Sequence, residues 1–476
     1  MSINYNFKID QVLKAFIPLL IIVIANFSCE KNKEGYFTSG FKTLELTDSS
    51  VILWTRLYHQ EKPNPITHER RAETFRHPLD FDENMPIEEM DGGVTGTSGE
   101  VQITISHDSK TQKSSWIEAS ENNDYTVSML FNNLTPNTKY EVTFESRFSG
   151  QQIQGFFKTP PANDESKSIH FTTSTCQYFW SYDDSLRGFK IYDIMREMNP
   201  DFFVQTGDYV YYDKPGPLAK DGITARHKWH AMDSWPALVD FHLQTPMYMI
   251  KDDHDLLKDD ISDPLESYGQ LTYSEGLKIW KENVPLSDNP YRTYRWGKDL
   301  QIWLVEGREY RSSNKIEDSP EKTILGIEQK KWLEQTIQQS DATFKILFSA
   351  TPIVGPDREK KSDNHANKSF QTEGDWLRSI LSQTENIYII NGDRHWQYHS
   401  IDSLTQVHEF GSGPVSNAHA QGWKKGDKRP QHQFLRVNGG FLGVKVSREG
   451  NIPQIIFTHY DVEGNAVNTR RFIAKE

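Results

Sequence analysis

Residues 202–213 read FFVQTGDYVYYD, a short apolar run that breaks into Gly207, Asp208 and a cluster of tyrosines. A four-residue apolar run bounded by glycine has the length and composition of a buried strand. The same pattern recurs three times. Residues 169–174 run into Thr175, Cys176 and Gln177. Residues 247–250 lead to Asp252, Asp253, His254 and Asp255, and residues 387–390 to Gly392, Asp393, Arg394 and His395. Helical patterns alternate with these runs near 186–198, 224–241, 273–282, 327–338 and 374–381, with further strands at 300–305 and 345–349. Such alternation predicts an α/β core over 168–476, whose tail returns to strands at 440–447 and 454–462. Ligands of open α/β sheets bind at the carboxyl ends of strands. A thiol, a phenol, imidazoles and carboxylates are therefore delivered to one edge. Hard carboxylates with one imidazole, one thiolate and a phenolate suit a ferric ion beside a divalent metal.

Upstream, the grammar is that of an all-β unit. Runs at 50–57, 100–106, 125–131 and 139–148 are short and rich in β-branched and aromatic residues. They predict an antiparallel sandwich over 37–161, and LTPNTKYEVTFESRF (134–148) followed by FFKTPP (156–161) resembles a fibronectin-type-III fold. Residues 59–99 interrupt it with a polar, strand-poor insertion, read as a long surface loop that reaches the other domain. Residues 160–167 read as the linker.

The chain has 476 residues, enough for two or three domains, and 36% of them are hydrophobic, which excludes wholesale disorder. With 53 basic and 66 acidic residues the net charge is −13. That argues against a nucleic-acid-binding surface, which neutralises phosphates with lysine and arginine. It does not exclude an enzyme acting on phosphate esters, because bound cations supply positive charge locally. There are two cysteines, Cys29 and Cys176. Lys8 and Lys14 precede the apolar run AFIPLLIIVIA (15–25), which is too short to span a bilayer, and Ser28 and Cys29 follow it. This order resembles a bacterial lipoprotein signal. The resemblance implies removal of residues 1–28, a lipid on Cys29, a polar tether over 29–36, and export with a lipid anchor in the outer membrane, on its periplasmic or cell-surface face. A plain secretory signal or an uncleaved anchor are the alternatives. With Cys29 lipidated, Cys176 is the only thiol left, and metal ligation is one reason to keep it.

The series TCQ, GDYVYYD, DDHD and GDRH resembles the alkaline phosphatase D (PhoD-like) branch of the calcineurin-like metallophosphoesterases. SVILWTRL (50–57), EGREYR (306–311) and LGIEQKKWLEQTI (325–337) agree with that family too. The resemblance implies a calcineurin-like α/β sandwich core behind the fibronectin-III-like domain. It assigns Asp208 as the residue bridging two metals. Cys176 takes the place of the usual D-x-H pair, and Tyr211 is the ferric tyrosine. DDHD replaces GNHD, which makes Asp253 a metal ligand and His254 the catalytic histidine. GDRH replaces GHxH and gives Asp393 and His395. Asp259 stands where many members carry an asparagine ligand. Arg308 and Arg311 are the family's guanidinium positions, as phosphate clamps or as ordinary salt bridges to the acidic loops, while Glu306 departs from its usual aspartate. The implied cofactors are Fe3+ and Ca2+, and the implied protein is a monomer. The implied activity is hydrolysis of phosphate monoesters or diesters outside the cytoplasm. Alternatives are a phospholipase-D-like or nucleotide phosphodiesterase and, from another class, a non-catalytic surface-binding lipoprotein.

Overall fold

The structure, a computed structural model, describes residues 35–72, 76–286 and 289–475, together with Met1. The signal-like stretch, Cys29 and most of the tether lie outside the described residues. No helix among the described residues is long and apolar enough to cross a membrane.

Two large sheets pack face to face. The first has nine strands, in the order Ala466–Ile473, Ile452–Tyr460, Phe441–Glu449, Ile169–Ser174, Phe202–Gln205, Met247–Met249, Phe41–Leu44, Ser50–Arg56 and Thr126–Asn132. Its central strands Ile169–Ser174, Phe202–Gln205 and Met247–Met249 are parallel. The second has seven, in the order Arg292–Trp296, Leu300–Leu304, Phe344–Ser349, Ile387–Asn391, His408–Ser412, Gln397–Ile401 and His432–Arg436. From Leu300–Leu304 to His408–Ser412 its strands are parallel. Side chains alternate faces with period two. Phe202 and Val204 enter the core between the sheets, while Phe203 faces the helices. Ile346 and Phe348 do the same from the other sheet, and Leu347 points outward. Lys190–Glu197, Gly222–Asp233 and Pro236–His242 cover the first sheet's outer face, and Ile327–Gln339 and Gln371–Ser382 the second's. Both faces of each parallel strand are thus buried, which is why these strands read as unbroken apolar runs. The result is the expected α/β sandwich.

Two expectations change. The single helix expected near 224–241 is two. Gly222–Asp233 opens with Asp221 accepting the Thr224 N–H, and Pro236 begins a second helix. Proline has no N–H to continue the first and clashes with the preceding turn, but it suits the first position of a new one. The N-terminal segment does not close on itself either. Phe41–Leu44, Ser50–Arg56 and Thr126–Asn132 extend the catalytic sheet, with Leu44 paired in parallel to Met247. Gly99–His107, Lys110–Lys113, Ile117–Ala119, Lys139–Ser146 and Gln152–Lys158 form a separate antiparallel sheet. Val51, Leu53 and Phe131 of one layer pack with Ile103, Ile105 and Phe144 of the other. A sandwich exists, but one of its layers is continuous with the core.

The 59–99 insertion, with one 3-10 turn at Ile87–Glu89, lies against the core. Arg70 Nη1 donates to the Trp180 carbonyl at 3.1 Å, and Glu83 accepts the Gly216 N–H at 3.0 Å. His77 Nδ1 is 3.2 Å from the Tyr178 hydroxyl, and the Tyr178 ring packs on Tyr211.

Candidate metal centre

Carboxyl ends of strands from both sheets converge on one point. Ile169–Ser174 delivers Cys176, Phe202–Gln205 delivers Asp208 and Tyr211, Met247–Met249 delivers Asp252 to His254, and Ile387–Asn391 delivers Asp393 and His395. Cys176, Asp208 and Asp393 all have left-handed backbones, with φ of 54°, 58° and 60°. For non-glycine residues this costs about 1–3 kcal/mol each and persists only where surroundings dictate it. Here each bend turns a side chain off its strand axis toward the common point. The loops interlock. The Cys176 N–H donates to the Gly207 carbonyl at 3.1 Å and the Gln177 N–H to that of Asp208 at 2.8 Å. A Cβ on Gly392 would sit 2.1 Å from the Thr206 carbonyl oxygen, so only glycine lets the two sheet edges approach this closely. Asp255 joins two of the motifs by accepting the N–H groups of Asp208 at 2.8 Å, Val210 at 3.0 Å and Asp252 at 3.0 Å.

Asp208 is the centre of the cluster. Its Oδ2 accepts from the Cys176 thiol at 3.4 Å and the Tyr211 hydroxyl at 3.1 Å, and that hydroxyl lies 3.3 Å from His395 Nε2. The ligand atoms of Cys176, Asp208 and His395 fall within 4.8 Å of one another. So do those of Asp208, Asp253 and His254; of Asp208, Asp252 and Asp393; and of Asp253, Asp259 and Asp260. Every ligand expected from sequence is in this constellation, with Asp259 exposed at its rim. Asp252 and Asp260 join it without having been singled out.

Electrostatics show what the cluster suits. Burial pushes the Asp208 carboxyl well up; Asp253 and Asp252 add to this, while His254 opposes it. The Cys176 thiol is raised by burial and then by Asp208 and Asp393, and the Tyr211 phenol by burial and then by Asp208. Asp208 Oδ1 and Asp252 Oδ2 are buried with no hydrogen-bond donor among the described residues. Crowded buried anions with orphaned oxygens are relieved by cations, and the oxygen, nitrogen and sulfur donor set fits metal ions.

His254 differs from the other histidines here. Its Nδ1 lies 2.6 Å from Asp213 Oδ1 and its ring packs on Tyr211. Burial alone would lower its pKa, but Asp213, Asp253 and Asp208 outweigh that and hold it well above the ordinary value. His395 and His419 are held neutral, chiefly by burial. Two of these contacts were not foreseen. Asp213 closes the opening motif, five residues after Asp208, so a signal was present. His419, with Nε2 2.9 Å from the Tyr211 hydroxyl and its ring 4.2 Å from that of His395, comes from the 3-10 turn Asn417–His419, which carried no signal.

Above the cluster is a cavity of about 210 Å³, lined by His254, His395 and Asp393 and by the cations Lys214, Arg358 and Lys361. The expected clamps Arg308 and Arg311 do not line it. Arg308 is buried, with Nε on Asp252 Oδ1 at 2.6 Å and Nη1 on the Ile261 carbonyl at 3.2 Å. Arg311 donates to the Asp363 carbonyl at 2.7 Å and to Asn314 Oδ1 at 2.8 Å. The salt-bridge alternative describes Arg308: a carboxylate as buried as Asp252 needs a counter-charge, and Arg308 is it.

Comparison with known proteins agrees with this geometry. The family model for PhoD-like phosphatases matches residues 171–452. Alkaline phosphatase D of Bacillus subtilis (strain 168) is 22% identical over 460 residues, covering 84% of this chain and 72% of that protein. The solved structure of PhoD superposes with a TM-score of 0.68 at 17% identity, over 92% of this chain and 90% of that one. Purple acid phosphatase PPD1 from yellow lupin (Lupinus luteus) seeds gives 0.60 at 9% identity, over 90% and 73%.

Proposed function

Because this chain belongs to the PhoD-like phosphatase family and hydrolyses phosphate esters with metal ions, we propose that its two ligand shells share Asp208. Cys176, Asp208, Tyr211 and His395 would hold a ferric ion. Asp208, Asp252, Asp253 and Asp393 would hold a hard divalent ion, calcium, with Asp259 exposed beside them. Bound there, the metals supply Lewis acidity and positive charge for the phosphoryl transition state. The chain's own groups do the rest. Lys214, Arg358 and Lys361 hold the phosphate oxygens in the cavity. His254 donates a proton from Nε2 to the departing alkoxide. Asp213, on Nδ1, fixes the ring's orientation and favours its protonated form. The observation that carries this reading is the membership of Asp208 in three of the four ligand groups.

Thiolate and phenolate ligands to ferric iron absorb visible light. Cys176→Ser and Tyr211→Phe are therefore expected to lose iron and colour, read by elemental analysis and absorption spectra. A colourless, iron-free preparation that hydrolyses a panel of phosphate esters at full rate would sink the iron assignment and leave the metal-dependent hydrolase standing.

We also propose that the protein works outside the cytoplasm, anchored through lipid on Cys29, on the strength of the short apolar run that ends in Ser28 and Cys29. Stable anchoring takes more than one acyl chain. Wild type is expected to take up labelled palmitate and fractionate with membranes, and Cys29→Ala to do neither. Equal labelling and fractionation of the two proteins would refute the anchor.

A further inference from the structure

The cavity is small, and what lies at its mouth bears on which esters fit. The loop of residues 421–430 forms part of that mouth. Gln421 and Gly422 line the cavity, and the Gln421 N–H donates to the His395 carbonyl at 3.2 Å. A Cβ on Gly422 would touch Arg358 Nη1 at 3.2 Å and Trp396 Cζ3 at 3.4 Å, so the loop lies against the cavity's own guanidinium. Beyond Gly422 the loop is folded. Trp423 packs on Trp396 with ring centroids 5.2 Å apart, and its Nε1 donates to the Asp427 carbonyl at 2.9 Å. Arg429 lies over the Trp423 ring and pairs with Asp427 at 3.0 Å.

This folded loop carries Lys424, Lys425, Lys428 and Arg429 against the single acid Asp427, in a protein whose net charge is −13. All four basic side chains are exposed, and Lys424 and Lys425 make no ion pair among the described residues. A basic tract beside a cavity raises the local concentration of anionic substrate and speeds its capture. A cavity of about 210 Å³ is small for a larger ester, and Gln421 and Gly422, which line it, join it to this basic loop.

We propose that residues 421–430 form a second anion subsite, so that the preferred substrates carry a further phosphate beside the scissile one. The proposal rests on the phosphoesterase reading of the adjacent cavity. It assigns the scissile phosphate to Lys214, Arg358 and Lys361, and the second phosphate to Lys424, Lys425 and Lys428.

The test compares fructose 6-phosphate with fructose 1,6-bisphosphate on metal-loaded enzyme, following release of inorganic phosphate. In wild type, kcat/KM for the bisphosphate is expected to be the higher and to fall more steeply with added salt. The triple variant Lys424→Glu, Lys425→Glu, Lys428→Glu is expected to lose about tenfold or more of kcat/KM on the bisphosphate relative to the monophosphate. The matching glutamine variant should lose an intermediate amount. Equal loss on both substrates, or no loss on either, overturns the subsite while leaving the cavity reading intact. No turnover of any phosphate ester by metal-loaded wild type overturns the cavity reading and the subsite with it.

Discussion

Asp208→Asn is expected to lose metal and turnover together. The carboxylate lies within ligand distance of the Cys176–His395, Asp253–His254 and Asp252–Asp393 groups, and no other residue belongs to more than two. Asparagine keeps the shape but removes the charge, and it replaces one of the two oxygens with an NH2 group that cannot ligate a metal. The loss of activity should exceed the 10–100-fold, roughly, that removing a supporting group behind a metal ligand costs. Stability gives an independent sign. Without metal, burial first and then Asp253 and Asp252 disfavour the ionised Asp208 carboxyl, against His254. The amide of Asp208→Asn has no charge to bury, so the metal-free variant should melt no lower than metal-free wild type. Metal addition should then raise the Tm of wild type well above that of the variant. Elemental analysis, kcat/KM and thermal melts on one preparation decide it. A variant with full metal content, or with wild-type turnover, contradicts a bridging role.

His254→Gln is expected to fail differently. It should keep most of its metal and lose about 10²–10⁴-fold in turnover, the usual scale for a general acid. The loss should be large for alkyl esters, whose alkoxide needs the proton, and small for nitrophenyl esters, whose leaving group does not. Asp213→Asn should show the same dependence on leaving group to a lesser degree, because the imidazole remains but the carboxylate charge 2.6 Å from Nδ1, which favours its protonated form, is gone. A histidine that merely packs against Tyr211 would lower stability and slow every ester alike. Equal losses across both ester classes would therefore remove His254 from the proton-transfer role.

How much of this was legible in sequence depends on what fixes each feature. The parallel strands were legible because burial on both faces makes them continuous apolar runs, and the glycines that follow two of them, Gly207 and Gly392, stand where neighbouring loops nearly touch. The motifs at those ends named the ligand constellation. They named Asp253 and passed over Asp252, since only the fold shows that Arg308 donates to Asp252 at 2.6 Å and lies 3.6 Å from Asp253. The same pairing took Arg308 out of the cavity. Arg358 and Lys361 come from an irregular loop and His419 from a single 3-10 turn, whose residues have no long period and whose positions are set by anchors distant in sequence, such as Glu409 accepting the N–H groups of Ile353, Val354 and Gly355. The continuity of the N-terminal layer with the catalytic sheet turns on the parallel pairing of Leu44 with Met247, some two hundred residues away, and a four-residue strand carries no mark of its partner. The helix break at Pro236 was written in the sequence; the apolar pattern on either side of it obscured it.

The central claim is that phosphate esters are cleaved at metal ions gathered by Asp208. It is tested most directly by stripping the purified protein with a chelator, restoring metal in steps, and measuring bound metal and phosphate-ester hydrolysis at each step. Activity is expected to vanish on stripping and to return in proportion to bound metal in wild type, with no return in Asp208→Asn. Full hydrolysis by the stripped protein, or restoration of Asp208→Asn to the wild-type rate, would contradict it.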